Sequence, residues 1–277
     1  MRGYEAIEQD FDREQSGRGY RKKGILLQRT KTIKAGDMLD VEIYPVLEVE
    51  TARSVRAGRT PEKQKRVNRR NAVKKLQRLL NANFGEGDLL VHLTMEKPCE
   101  EKTFDKAKRN FMAKLQRRAK KAGVPLRYVQ VVELTGAESR KRYHIHMVMG
   151  GGWIDRDAVE KLWGHGLARA DRVQYREKGL SGFATYITQK KETQEKLMRR
   201  AWACSKGLKR PTETRSDSRF SRRAAMQLTQ AAYADAKKMF EKRYPGYTLL
   251  EEPRIVWSDL APGAYIYATM RRTASMR

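Results

Sequence analysis

Apolar and polar residues alternate without a breaker along Tyr143-His144-Ile145-His146-Met147-Val148-Met149. This is the period-two signature of a half-buried strand, and it predicts His144 and His146 on one face with Ile145, Met147 and Met149 on the other. The run Leu89–Met95 is almost continuously apolar and reads as a strand central to a sheet. Leu126–Glu133 is another strand. The polar stretch Gly136–Lys141 joins it to the histidine strand, so the two form an antiparallel hairpin. Upstream, Ile25–Thr32 and Met38–Tyr44 form a hairpin about Ala35-Gly36-Asp37, and Pro45 demotes the end of its second strand to an edge position. Leu167–Tyr175, Arg254–Trp257 and Ala264–Met270 complete the predicted strands.

Helical spacing appears between these runs. Thr60-Pro61 starts a helix whose stripe is Val73, Leu76, Leu79 and Leu80, and Asn83-Phe84-Gly85 ends it. Thr103 caps a helix to Ala122 that buries Phe104, Ala107, Phe111 and Leu115 and stops at Gly123. Asp155 caps a short helix carrying Val159, Leu162 and Trp163, with Gly164 as its end. Leu180 to about Lys191 is helical with Phe183 and Ile187 inward, and one long helix runs from about Arg219 to Arg243 before the turn Tyr244–Tyr247. Met1–Lys23 reads as loosely ordered and Trp202–Asp217 as a basic connector. Strands and helices interleave around hairpins rather than βαβ crossovers. The predicted class is therefore α+β, a central and mainly antiparallel sheet with flanking helices, a basic N-terminal extension and a helical C-terminal one. The expected domains are 1–85 (hairpin and basic helix), 86–200 (core) and 201–277 (helix and short strands).

Charge changes this picture more than composition does. Over 277 residues, 60 Lys and Arg face 33 Asp and Glu, a formal net charge of +27, and 39% of residues are hydrophobic. A chain this basic is built to meet a polyanion. No apolar run approaches a membrane span and the N-terminus does not read as a secretory signal, so nucleic acid is the expected partner rather than a membrane. Cys99 and Cys204 stand alone and distant, which provides neither a disulfide framework nor a zinc knuckle and suits a reducing cytoplasm. The basic residues concentrate from Arg53 to Arg78, where Glu62 is the single anion among Arg66, Arg69, Arg70, Lys74 and their cationic neighbours. A solvated helix face normally mixes signs, so this helix is expected to contact phosphates. No Walker-type phosphate loop is present.

Two of the four histidines share one strand face, a ready pair of metal ligands. The hairpin brings Glu133 beside them. Two imidazoles and a carboxylate suit a divalent cation such as Mn²⁺ or Mg²⁺, with positions left open for substrate oxygens; the alternative for Glu133 is an ordinary strand-end carboxylate facing solvent. On the helix beyond, Tyr186 and Lys190 share a face one turn apart. A tyrosine there is more often a rim aromatic than a nucleophile. Beside a metal strand and a polycationic surface, its phenolate has the chemistry to attack a phosphorus.

These residues resemble a family. Leu93-Thr94 on an apolar strand, then His144-Ile145-His146, then a helix bearing Tyr186 look like the HUH endonucleases, and within them the rolling-circle replication initiators (Rep proteins) of bacterial phages and mobile elements. Flanking stretches at Gly36-Asp37, Asn81–Asp88 and Trp202–Pro211 are similar to features of the same proteins. The resemblance implies a metal held by His144, His146 and Glu133, and Tyr186 as the single nucleophile. It implies nicking of single-stranded or hairpin origin DNA to leave a 5′-phosphotyrosine and a free 3′-OH, in the cytoplasm of a bacterial host with host helicase and polymerase as further partners. Lys190 is assigned to phosphate contact or proton management, although several relatives carry their lysine where this chain has Gln189. The rival readings are a non-catalytic DNA- or RNA-binding protein and a relaxase or transposase of the same superfamily.

Overall fold

The computed structural model of the chain describes residues 26–47, 62–135, 142–174, 177–188, 202–257 and 263–273. Among them it shows a mixed α+β architecture with two antiparallel sheets and six helices, in two compact units. One unit comprises Met1–Arg78 with Pro211–Arg277, the other Leu79–Arg210.

The sheet of the first unit begins with the hairpin β1 (Leu26–Ala35) and β2 (Met38–Leu47), turning at Gly36-Asp37 with Gly36 at φ +62°. The strands β8 (Thr212–Ser216), β9 (Tyr247–Leu249), β10 (Arg254–Trp257) and β11 (Ala264–Arg272) complete it. Their order is β10-β11-β2-β1-β8, with β9 also on β11. β2 is thus interior, but its pairing with β11 reaches only Ile43, so Pro45 sits where the strand is paired to β1 alone. Leu39, Val41, Ile43, Ile266, Ala268 and Met270 face a core shared with Phe220, Leu228 and Phe240.

Two expectations fail in this unit. Instead of one helix from Arg219 to Arg243 there are two, α5 (Arg222–Gln230) and α6 (Tyr233–Arg243), broken at Ala231-Ala232 in extended backbone. A continuous helix would hold its ends about 36 Å apart. Here Arg219 and Arg243 each donate to the other's backbone carbonyl at 3.1 Å, and the rings of Phe220 and Phe240 lie 5.2 Å apart. Closing that clasp over the sheet overrides the helix propensity of two alanines. The supposed connector Trp202–Asp217 also contains strands. β8 pairs with β1 through Arg29–Asp217 and Lys31–Glu213 ion pairs, and β7 (Ala203–Cys204) lies in the other unit.

The first unit also accounts for part of the basic run. Helix α1 (Glu62–Asn83) carries Arg78, which donates to Asp40 at 2.7 Å and to Glu42 at 2.8 Å on β2. Lys74 stands 4.0 Å from Glu42 and over the ring of Tyr267. Burial works to raise the Glu42 pKa, but Lys74, Arg78 and Lys31 outweigh it and hold the carboxyl below its ordinary value of 4.5. A depressed carboxylate contributes stability above its unfolded pKa and loses it as pH falls through the folded one. Unfolding midpoints in urea should therefore fall as pH drops below about 4.5. Arg78→Ala, which strands both carboxylates, should cost about 3 kcal/mol at neutral pH and blunt that acid dependence.

The second unit is a five-stranded sheet in the order β6-β3-β5-β4-β7. Its strands are β3 (Leu89–Thr94), β4 (Tyr128–Thr135), β5 (Arg142–Met149), β6 (Ala168–Arg172) and β7. β3 and β5 are interior, β3 as its apolar run predicts, and β4–β5 is the predicted antiparallel pair. Helices α2 (Glu101–Lys121) and α3 (Arg156–Trp163) cover one face. Phe104, Phe111, Leu115, Val159 and Trp163 pack there on Leu89, Val91, Leu93, Ile145, Met147 and Met149. α2 starts two residues before Thr103, after Glu100, so Thr103 is not its cap; Asp155 occupies the cap position of α3 without a side-chain cap bond. β6 ends at Arg172, short of Tyr175. The Tyr-bearing helix α4 runs Ser181–Thr188, and residues 189–201, where the predicted helix was to continue to Lys191, lie outside the described residues.

Candidate active site

With both helices on one face, the other face of the second sheet is read directly from its register. His144 of β5 lies opposite Glu133 of β4 and Thr94 of β3; His146 lies opposite Val131 and His92. Residues directly opposite across strands share a face. His92, Thr94, Glu133, His144 and His146 therefore occupy two adjacent rows of one surface, away from the α2–α3 core.

Side-chain contacts knit these rows together. His146 Nε2 lies 3.1 Å from Glu133 Oε2, and both residues are buried, at 4% and 2% exposure. Thr94 Oγ1 is hydrogen-bonded to His144 Nδ1 at 2.9 Å. The ring of His92 stands 4.0 Å from that of His146 and 6.0 Å from that of His144. Thus three imidazoles and one carboxylate converge. The strand reading of the sequence does not single out His92. Its signal is present: within Leu89–Thr94 the buried Leu89, Val91 and Leu93 alternate with Leu90, His92 and Thr94. Only the strong apolar content of the strand hides the alternation.

The donor set suits a hard or borderline divalent ion. His146 Nε2 and Glu133 Oε2, at 3.1 Å, are hydrogen-bonded to each other. The Thr94 hydroxyl on Nδ1 of His144 is the kind of outer partner that orients a ligating imidazole through its other nitrogen. Among the described residues, no group of three or more His, Cys, Asp or Glu side chains stands close enough together to hold a metal ion.

The remaining site residues fall differently. Tyr186 belongs to α4, but its side chain and the whole of Lys190 lie outside the described residues, as do the side chains of Arg66, Arg69 and Arg70. Lys74 is described, half-exposed and engaged with Glu42 and Tyr267. Two buried asparagines fix the start of α4 and the 202–210 segment. Asn81 Oδ1 accepts from Leu180 N at 2.8 Å, while Asn83 exchanges hydrogen bonds with the backbone of Lys209. Asp88 accepts from Gly85 and Gly151 backbone N–H groups, and a Cβ at Gly151 would lie 2.8 Å from both Gly87 O and Leu89 Cγ. These anchors give the Asn81–Asp88 stretch its physical reason.

The fold and this face define a class of protein, an antiparallel-sheet domain presenting imidazole and carboxylate donors from adjacent strands. Comparison adds one likeness: residues 88–192 match the family model of the replication-associated protein ORF2 family. No curated protein and no solved structure matches the chain. The matched family is one of replication initiators that are typically nicking endonucleases. Among the described residues no helix is long and apolar enough to cross a membrane.

Proposed function

We propose that the chain nicks single-stranded or hairpin origin DNA through Tyr186. The phenol oxygen attacks the scissile phosphorus, the P–O3′ bond breaks, and the departing 3′ oxygen takes up a proton. One phosphodiester is exchanged for another, a 5′-phosphotyrosine, and the free 3′-OH primes synthesis with a polymerase and helicase supplied by the host. The observation that carries this reading is the placing of His144, Glu133 and His146 in two adjacent rows of one sheet face inside the matched segment.

His144, His146 and Glu133 are the residues that would hold a Mn²⁺ or Mg²⁺, with His92 alongside. When bound, the cation offsets charge on the scissile phosphate. The protein's own groups do the rest. Thr94 fixes the His144 ring, Glu133 fixes that of His146, and Lys190 contacts the phosphate or eases loss of the phenol proton, whose free pKa is about 10. The tyrosines of the unit narrow the choice of nucleophile. Of Tyr128, Tyr143, Tyr175 and Tyr186, the first two pack on the α2–α3 core, and burial raises their pKa values.

A suicide oligonucleotide bearing the element's own intergenic origin tests the reading. Wild-type protein should form a covalent adduct in the presence of Mn²⁺. Binding without an adduct would make the chain a non-catalytic DNA-binding protein.

The basic segment of α1 is proposed to contact phosphates through Arg66, Arg69 and Arg70. Every cation–phosphate pair removed should reduce the salt slope of single-strand binding by about 0.7. Reversing all three to Glu should therefore weaken binding to every sequence alike and flatten the salt dependence by about 2. Lys74, tied to Glu42, should contribute less to that slope than any of the three.

A further inference from the structure

The register that collects the histidines also brings the edge strand β6 onto the same surface. His92 lies opposite Arg169, and Leu90 lies opposite Asp171. One step on, Thr94 N donates to Leu167 O at 2.8 Å, which places Leu167 in the row of Thr94, His144 and Glu133. Arg169 completes the row of His92 and His146. The alternate residue Ala170 is buried in the α2–α3 core at 2% exposure, as this parity requires.

Both side chains stand in solvent. Leu167 is 70% exposed, and the Arg169 side chain is 72% exposed. A large apolar residue left in water beside a polar site stabilises nothing in the folded chain. Nor is it there because the segment is loose. Gly166 has φ +134°, and a Cβ on it would sit 2.4 Å from Glu96 N and 2.5 Å from Thr94 O. His165 O accepts from Glu96 N at 2.9 Å, closing the strand end on the far side of the same glycine. The backbone is thus locked against β3, and Leu167 is presented from a fixed position. Arg169 is paired with Asp171 at 2.8 Å. An exposed ion pair of this kind is worth about 0–1 kcal/mol, so a phosphate can displace the carboxylate at little cost.

We infer that Leu167 and Arg169 position the substrate strand, Arg169 by binding a phosphate adjacent to the scissile one and Leu167 by packing against a base. Neighbouring strands lie about 4.8 Å apart, so β6 is about 10 Å from the His144–His146 strand, a span covered by an extended Arg side chain and part of one nucleotide. Guanidinium is the group suited to a bidentate phosphate contact. An apolar side chain accepts any base face without reading its edge, so Leu167 contributes affinity and placement rather than sequence choice. This inference rests on the nicking reading and adds the residues that hold the strand in register.

The test uses the full-length protein with Mn²⁺ and an origin oligonucleotide. Arg169→Ala should raise KM about tenfold, lower kcat much less, and reduce the salt slope of binding by about 0.7. Arg169→Lys should restore the slope, because it restores the charge. Leu167→Ser should raise KM with the salt slope unchanged. Mn²⁺ affinity, read by electron paramagnetic resonance, should match wild type in all three, which a disturbed sheet would not allow. Wild-type adduct formation together with wild-type KM and slope in Arg169→Ala and Leu167→Ser overturns this inference alone. Absence of the adduct from wild-type protein overturns the nicking reading and this inference with it.

Discussion

Tyr186→Phe should eliminate the covalent protein–DNA adduct entirely while leaving DNA and metal binding in place. The substitution removes the attacking oxygen and almost no volume, so α4 is otherwise unchanged and Asn81 keeps its hold on Leu180. Without a nucleophile no positional or electrostatic assistance can substitute, and the loss should reach the detection limit rather than a fraction. Two-tyrosine relatives place a second tyrosine one helical turn beyond the first; here that position is Lys190, so no second phenol stands there to rescue the reaction. Lys190→Ala should slow adduct formation about tenfold without abolishing it, since charge and placement fall away but the nucleophile stays. Mass spectrometry of the cross-linked peptide decides the assignment. An adduct on Tyr175, or one that survives Tyr186→Phe, would show that α4 does not carry the nucleophile.

His144→Ala with His146→Ala should abolish cleavage at any metal concentration and leave the fold intact. The intact fold follows from parity, because the core side of β5 is Tyr143, Ile145, Met147 and Met149, and none of these is touched. Removing Glu133 alone should shift the Mn²⁺ requirement upward by about 10–100-fold, the usual cost of losing a ligand or its immediate support. His92→Ala should shift it less, since its ring meets His146 rather than Glu133. Titrating Mn²⁺ against nicking rate and against metal affinity in the same variants separates a ligand from a merely structural residue. Wild-type metal affinity in the double histidine variant would remove the cation from this face.

The parts of this face that the sequence discloses, and those it hides, follow a physical pattern. The two faces of β5 are legible because apolar and polar residues alternate from Tyr143 to Met147, and the hairpin that sets Glu133 opposite His144 is legible because only a polar loop separates its strands. His92 is not, because a strand whose buried side is Leu89, Val91 and Leu93 reads as uniformly apolar. β7 and β8 leave no hydrophobic trace at all; their residues are almost wholly exposed and their pairing depends on ladder bonds and ion pairs. The break between α5 and α6 is equally silent, since Leu228, Ala236 and Phe240 keep helical spacing across it. Lys74 and Arg78 look like any other cations of the basic run until β2 brings Asp40 and Glu42 beneath them. Long-range partners cannot be read from local period.

The division of the chain bears on its synthesis. The unit formed by Leu79–Arg210 is continuous, so all five strands of its sheet have left the ribosome once β7 is made. The other unit is split by it. The β1–β2 hairpin emerges early, yet both of its flanking partners, β8 and β11, come from beyond residue 210. For the whole time needed to translate the insert, at about 5–20 residues per second, that hairpin has two open strand edges and an apolar face awaiting α5 and α6. Early termination anywhere between β7 and β11 therefore yields a nascent chain with a complete histidine-bearing sheet and an adhesive, half-built neighbour. The period of greatest exposure to aggregation or chaperone capture belongs to the β1–β2 hairpin, and it ends only when β11 arrives.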